Sequence, residues 1–153
     1  MGIKTLLFAG LMALLVLPLG CTTDDLCLSN QHALQTGFYS AFSEKDSLLK
    51  GTTVYGFEFN TNIYKEQDLS KMFLPLSFES DTSVFVITNN TLYDTLWVKH
   101  LKELNFISRK CGFTFNFEID TLWYTKTFID SVALTYPRIN YGETFENVEI
   151  YLY

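Results

Sequence analysis

From Phe113 to Asp120 the chain alternates without a break: Phe113, Phe115, Phe117 and Ile119 are apolar, while Thr114, Asn116, Glu118 and Asp120 are polar. A period of two is the mark of a strand with one buried face and one wet face. Val148, Ile150 and Leu152 alternate in the same way with Glu149, Tyr151 and Tyr153. Ser83 to Thr88 (SVFVIT) is apolar on both faces and suits a central strand. Further strands are expected at Leu34–Phe42, Thr52–Phe59, Met72–Phe78, Thr95–Leu101 and Thr127–Thr135. Turn material separates them: Ser43-Glu44-Lys45-Asp46, Asn60-Thr61-Asn62, Glu79-Ser80-Asp81, Asn89-Asn90 and Asn140-Tyr141-Gly142. Leu101, Leu104 and Ile107 stand at helical spacing and invite a helical turn. About seven or eight short strands within residues 32–153 predict an all-β chain, a single antiparallel β-sandwich, immunoglobulin-like in general architecture. A small closed barrel is the alternative. Asp94-Thr95-Leu96-Trp97 recurs as Asp120-Thr121-Leu122-Trp123. Both copies read as turns entering strands, with Leu and Trp on opposite faces.

What precedes Cys21 reads as a targeting segment outside the fold. Lys4 gives a positive start, Leu6 to Leu17 form an apolar stretch, and small Gly20 stands before the cysteine. That stretch is shorter than the roughly 20 apolar residues of a spanning helix. Gly20-Cys21 is similar to a bacterial lipobox, in which the thiol takes a diacylglyceryl group and cleavage leaves the cysteine first. Pro18 departs from that pattern, where Leu is usual. The plainer reading is an ordinary secretory signal cut nearby, with Cys21 unmodified. On the lipobox reading, residues 1–20 are a signal helix that is removed and 21–31 an acylated tether. Residues 32–153 are then the domain, held in the cell envelope at the outer membrane. Each buried methylene contributes about 0.8 kcal/mol, so two or three acyl chains such as palmitate hold where one is marginal.

Removing residues 1–20 takes Lys4 and leaves 10 basic against 17 acidic residues, a net charge of −7. That balance disfavours nucleic acid and anionic lipid surfaces as partners, since both need a basic face. The longest run of Lys and Arg is Arg109-Lys110. No catalytic residue, metal site or cofactor is expected. His32 and His100 are the only imidazoles, and neither sits in a zinc spacing. Neither a nucleophile elbow nor a phosphate-cradling glycine loop is present. Glu118 and Asp120 share a strand face as a carboxylate pair would, but read more simply as its solvated side. Two functions remain. One is a non-catalytic interaction module that assists an envelope complex or outer-membrane barrel by strand addition or face packing. The other is a lipoprotein that binds a glycan or small ligand on aromatics drawn from Trp97, Trp123, Tyr141, Tyr151 and Tyr153.

The lipobox at Cys21, Leu74-Pro75-Leu76, Asp94-Thr95-Leu96, the run from Phe106 to Phe113 and the closing Val148 to Tyr153 together resemble small lipoproteins of the Bacteroidota that carry a domain of unknown function. The resemblance implies an envelope location and a sandwich, and brings no catalytic residue. Asp24-Asp25 looks like the acidic signal that sends some of these lipoproteins to the cell surface; a solvated tether reads the same way. Asp46-Ser47-Leu48, Asp94-Thr95-Leu96, Asp120-Thr121-Leu122 and Asp130-Ser131-Val132 look like O-glycosylation acceptors of that phylum, with Ser47, Thr95, Thr121 and Ser131 as the sites. Composition alone gives roughly 0.6 such tripeptides, so four is an excess, although turn-to-strand junctions produce the same pattern.

Three cysteines in an exported chain leave one odd thiol. If lipid takes Cys21, then Cys27 and Cys111 remain, and an oxidising compartment favours their pairing. The bridge would staple the tether to the entrance of the Phe113 strand. In the chain-entropy model its 84-residue separation is worth at most about 4.5 kcal/mol. The alternative is two buried thiols acting as small hydrophobes. Metabolic labelling with a clickable fatty acid should mark the wild type and not Cys21→Ala; equal labelling of both disproves acylation at Cys21.

Overall fold

The computed structural model describes Cys27, residues 33–57 and residues 61–153. Expectations for the signal segment, Gly20, Cys21, Asp24-Asp25 and His32 lie outside the described residues. Within them the chain forms β1 (Ala33–Ser40), β2 (Leu49–Gly56), β3 (Asn62–Leu69), β4 (Lys71–Pro75), β5 (Thr82–Asn89), β6 (Leu92–Ser108), β7 (Gly112–Tyr124), β8 (Ile129–Leu134), β9 (Arg138–Ile139) and β10 (Val148–Leu152). These make a four-stranded sheet, β4-β1-β10-β8, and a six-stranded sheet, β3-β2-β5-β6-β7-β9. The two sheets enclose one core: Leu34, Phe38, Met72, Leu74, Val148 and Ile150 from the first meet Val54, Phe85, Ile87, Leu96, Val98 and Phe117 from the second. Each such side chain contributes about 1.5–3 kcal/mol by leaving water. The architecture is the all-β sandwich expected, and not a barrel.

Four expectations need correction. Ten strands form among the described residues, not seven or eight. β3 escaped notice because it is a sheet edge whose residues are mostly exposed, so no apolar period marks it. Its pairing with β2 is broken by register shifts, with Gly51 at φ 62° and Glu66 at φ 49°. Bulges and the charged run Lys65-Glu66-Gln67-Asp68 blunt that edge against further pairing. Secondly, the sandwich is not wholly antiparallel, since β1 lies parallel to β10, with Phe38 opposite Ile150.

Thirdly, Leu101–Ile107 is strand. It pairs along β7, Leu104 opposite Phe115 and Phe106 opposite Phe113, so cross-strand hydrogen bonds override the helical spacing. Lastly, Asp94–Trp97 and Asp120–Trp123 are not turns but strand interiors that face each other, Trp97 opposite Trp123 and Val98 opposite Leu122. Leu96 and Leu122 do point inward while Trp97 and Trp123 point outward. The alternation at Phe113–Asp120 holds, yet only Phe117 and Ile119 are buried, and Phe113 is exposed. β6 and β7 extend past their neighbouring strands, and Leu104, Phe106 and Phe113 at that end of the apolar face are exposed.

At three of the crossings between sheets, a buried or half-buried polar side chain holds the link. Asn147, buried between β9 and β10, accepts from the Gln35 amide and donates to the Tyr136 and Arg138 carbonyls. Between β4 and β5, Lys102 donates to the carbonyls of Phe78, Glu79 and Ser80 and pairs with Asp81 at 3.1 Å. Between β7 and β8 the link is held by Asp94, whose residue is 0% exposed. One carboxylate oxygen accepts from the Thr125 hydroxyl at 2.6 Å and the Thr127 amide at 2.8 Å. The other accepts from the amides of Phe128 at 2.8 Å and Ile129 at 2.9 Å. Burial alone would raise the pKa of this carboxyl, but the Thr125 hydroxyl and then the Phe128, Ile129 and Thr127 amides outweigh it and hold it below the ordinary value. A depressed folded-state pKa gives stability that is complete above the unfolded value of about 3.9 and is lost as pH falls through the folded one. Asp94→Asn should therefore cost about 2–4 kcal/mol in urea unfolding at pH 7, through lost charge-assisted bonds. The difference from wild type should shrink as pH falls below about 4. A cost under about 0.5 kcal/mol at pH 7 would refute the role.

Candidate functional site

Alternation along β2, β5, β6 and β7 sends one set of side chains to the core and the other to the outer face of the six-stranded sheet. That outer set is apolar where a solvated sheet is normally polar. Cross-strand register aligns it in rows. Val84 lies opposite Trp97 and Trp97 opposite Trp123, while Tyr55 faces Val86, Val86 faces Thr95, and Thr88 faces Tyr93. Phe57 closes the first row, its amide on the Val84 carbonyl at 2.8 Å. The rows surround a hollow of about 520 Å³ with no charged side chain in its lining. Phe57 is 75%, Tyr93 63% and Trp123 47% exposed. This is a contiguous apolar surface, not scattered hydrophobes, and surfaces of this kind mark docking sites.

The five aromatics singled out in the sequence do not form one platform. Trp97 and Trp123 come together. Tyr151 instead stacks with Tyr39 on the four-stranded sheet, 5.7 Å between centroids. The hydroxyls of that pair are taken by neighbouring carboxylates, Tyr151 by Glu149 at 2.7 Å and Tyr39 by Glu146 at 2.6 Å, and these hydrogen bonds raise both phenol pKa values. Tyr141 sits beside Asn116, and Tyr153 at the chain end is 62% exposed. Sequence reasoning missed Tyr55, Phe57, Val84 and Tyr93. The available signal was SVFVIT: its second apolar face needs a partner, and among the described residues none packs on it.

Elsewhere the chemistry is structural. Glu118 and Asp120 are both exposed, and Asp120 takes Lys99 at 2.7 Å, which lowers its own pKa and raises that of the lysine. A second hollow of about 310 Å³ mixes Lys102 and Arg138 with Glu103 and Glu118, so it presents no field of one sign. Ser83 and His100 do meet, Oγ to Nε2 at 2.9 Å. Both residues are buried, and Ser83 Oγ also accepts the Ser77 amide at 2.7 Å. His100 Nδ1 has no hydrogen-bond partner among the described residues. A serine nucleophile needs access for a substrate and an oriented base; this pair has neither, and it braces the link into β5. Among the described residues no group of three or more His, Cys, Asp or Glu could hold a metal ion. Of the acceptor tripeptides, Ser47 lies in the link between β1 and β2, whereas Thr95, Thr121 and Ser131 lie within strands. Cys27 and Cys111 are bonded, with Cα atoms 5.4 Å apart, as the cysteine count implied.

Residues 51–152 match the model of a family of unknown function (DUF6452). The chain belongs to this DUF6452 family. The matched region holds the entire hollow and Cys111, while Cys27 and β1 precede it. Neither the curated proteins nor the solved structures give a match.

Burial, and then the charge of Lys102, lower the pKa of His100. A base with a depressed folded-state pKa stays neutral in the fold while the unfolded chain takes the proton first, so stability rises with pH until about 6.5. Below that value wild-type stability should decline by up to about 1.4 kcal/mol per pH unit, and His100→Gln should flatten the decline. An identical pH profile for the variant would assign that limb to another group.

Proposed function

We propose that this DUF6452 protein is a lipid-anchored, non-catalytic interaction module of a bacterial envelope, which packs a partner protein against the outer face of its six-stranded sheet. The carrying observation is the uncharged hollow with Trp97, Trp123, Tyr93, Tyr55 and Phe57 around it. Aromatic residues and a lack of charge at the centre are the composition of an interface core. Support for the anchor comes from the sequence, through Gly20-Cys21 and the resemblance to Bacteroidota lipoproteins. Among the described residues no helix is long and apolar enough to cross a membrane.

Face packing is preferred to strand addition because the hollow carries no charged side chain, while the β3 edge of the same sheet is bulged and charged. It also fits better than glycan binding. A sugar ring is held by several hydrogen-bonding groups around its rim as well as an aromatic floor, and the only hydroxyls in the lining are those of Tyr55, Tyr93, Thr95 and Thr88, the last already given to the Thr53 carbonyl at 3.2 Å. Affinity purification of the lipidated protein from its native envelope should yield a stoichiometric protein partner. Trp97→Glu with Trp123→Glu should lose that partner by at least about tenfold, the equivalent of 1.4 kcal/mol, while urea stability stays within about 1 kcal/mol of wild type. A partner retained by the double variant, or binding to a glycan array in place of any protein, would overturn the reading.

A further inference from the structure

β6 is 17 residues long and β7 is 13, and among the described residues their distal halves pair only with each other. β5 accompanies β6 as far as Lys99, and β9 touches β7 only at Phe117 and Glu118. Beyond these points a two-stranded arm projects from the sandwich. A hairpin alone is marginal in water, and this one is apolar at its end. Leu104, Phe106 and Phe113 are 60%, 54% and 64% exposed, with the Phe106 and Phe113 rings 5.1 Å apart. At the turn beyond them stand Arg109 and Lys110, both exposed. They form the longest basic run in a chain that is otherwise acidic. Next to them is Cys111, bonded to Cys27.

The bridge fixes where the N-terminal chain arrives. Cys27 is six residues from Cys21, and six extended residues reach at most about 20 Å. A lipid on Cys21 therefore holds Cys27, and with it the arm's tip, within about that distance of the bilayer. We propose that the end of the β6–β7 arm lies in the polar–apolar boundary of that bilayer, with Phe106, Phe113 and Leu104 inserted and Arg109 at the phosphates. Aromatic and aliphatic side chains flanked by basic ones are the composition of a segment that lies in this boundary. The leash length and the basic tip select a lipid surface over a protein as occupant. The inference rests on acylation of Cys21 and adds to it a second contact, which orients the sandwich.

The test uses the full mature protein, purified from its host envelope and reconstituted into phosphatidylcholine vesicles with brominated acyl chains. Phe113→Trp places an indole at the tip. The native Trp97 serves as reference, since it is nine residues from Phe106 along β6 and so about 30 Å away at about 3.3 Å per residue. The signal added by Phe113→Trp should lose about half or more of its intensity relative to unbrominated vesicles, as expected for a ring about 5–10 Å into the boundary, while wild-type emission changes little. Phe106→Trp reports the same from the facing strand. Intact mass of the same sample records whether Cys21 carries lipid. Acylated variants quenched no more than wild type overturn the insertion and leave the anchor standing. A mass without lipid overturns the anchor, and the insertion with it.

Discussion

The carboxylate of Asp94 is the point on which the sandwich closes. A β-sandwich needs connections between its layers, and every connection brings backbone amides past a core that cannot hydrogen-bond them. Asp94 projects from the six-stranded sheet into that gap and takes the Thr125 hydroxyl and three successive amides at the start of β8. A buried charge of this kind is tolerable only because each oxygen is fully occupied. Without it, β8 has no fixed entry, and β10, which pairs with β8 and lies between β8 and β1, loses one of its two neighbours.

The same division of labour recurs at Asn147 and at Lys102 with Ser77 and Ser83. Polar side chains fix where the chain changes layers, and apolar alternation fixes what faces inward. Ser83–His100 belongs to this group. In a catalytic site such a pair would face a cleft, and here it faces Phe117, with the His100 ring edge-on at 5.1 Å. Among the described residues, the buried polar side chains at these crossings hold the fold together.

Among the described residues, two apolar surfaces lie on strands of the six-stranded sheet outside the core. One is the outer side of β2, β5, β6 and β7, and the other is the far end of the β6–β7 arm. They arise from one cause. β6 and β7 carry apolar residues on positions that the four-stranded sheet does not cover, either because these point the other way, as Trp97 and Trp123 do, or because they lie past its edge, as Phe106 and Phe113 do. A solvated sheet would carry Thr, Lys or Glu there, as it does at Lys99, Glu118 and Asp120.

The alternation of Phe117 with Glu118, of Ile119 with Asp120 and of Val148 with Glu149 was enough to establish strands, and the density of turns between them to establish a sandwich. These are local properties, set by which neighbours share a face. The cysteine count was equally local, and Cys27 and Cys111 are joined. Edge strand β3 was illegible because an edge has no inward period, and Leu101–Ile107 was misread because spacing by three fits a helix until a partner strand is aligned beside it. The parallel pairing of the first strand with the last, and the meeting of Trp97 with Trp123 and of Asp94 with Phe128, join residues far apart in the chain. No local pattern encodes such meetings. They follow from packing two sheets on one core, and that packing alone decided which apolar side chains would be left facing out.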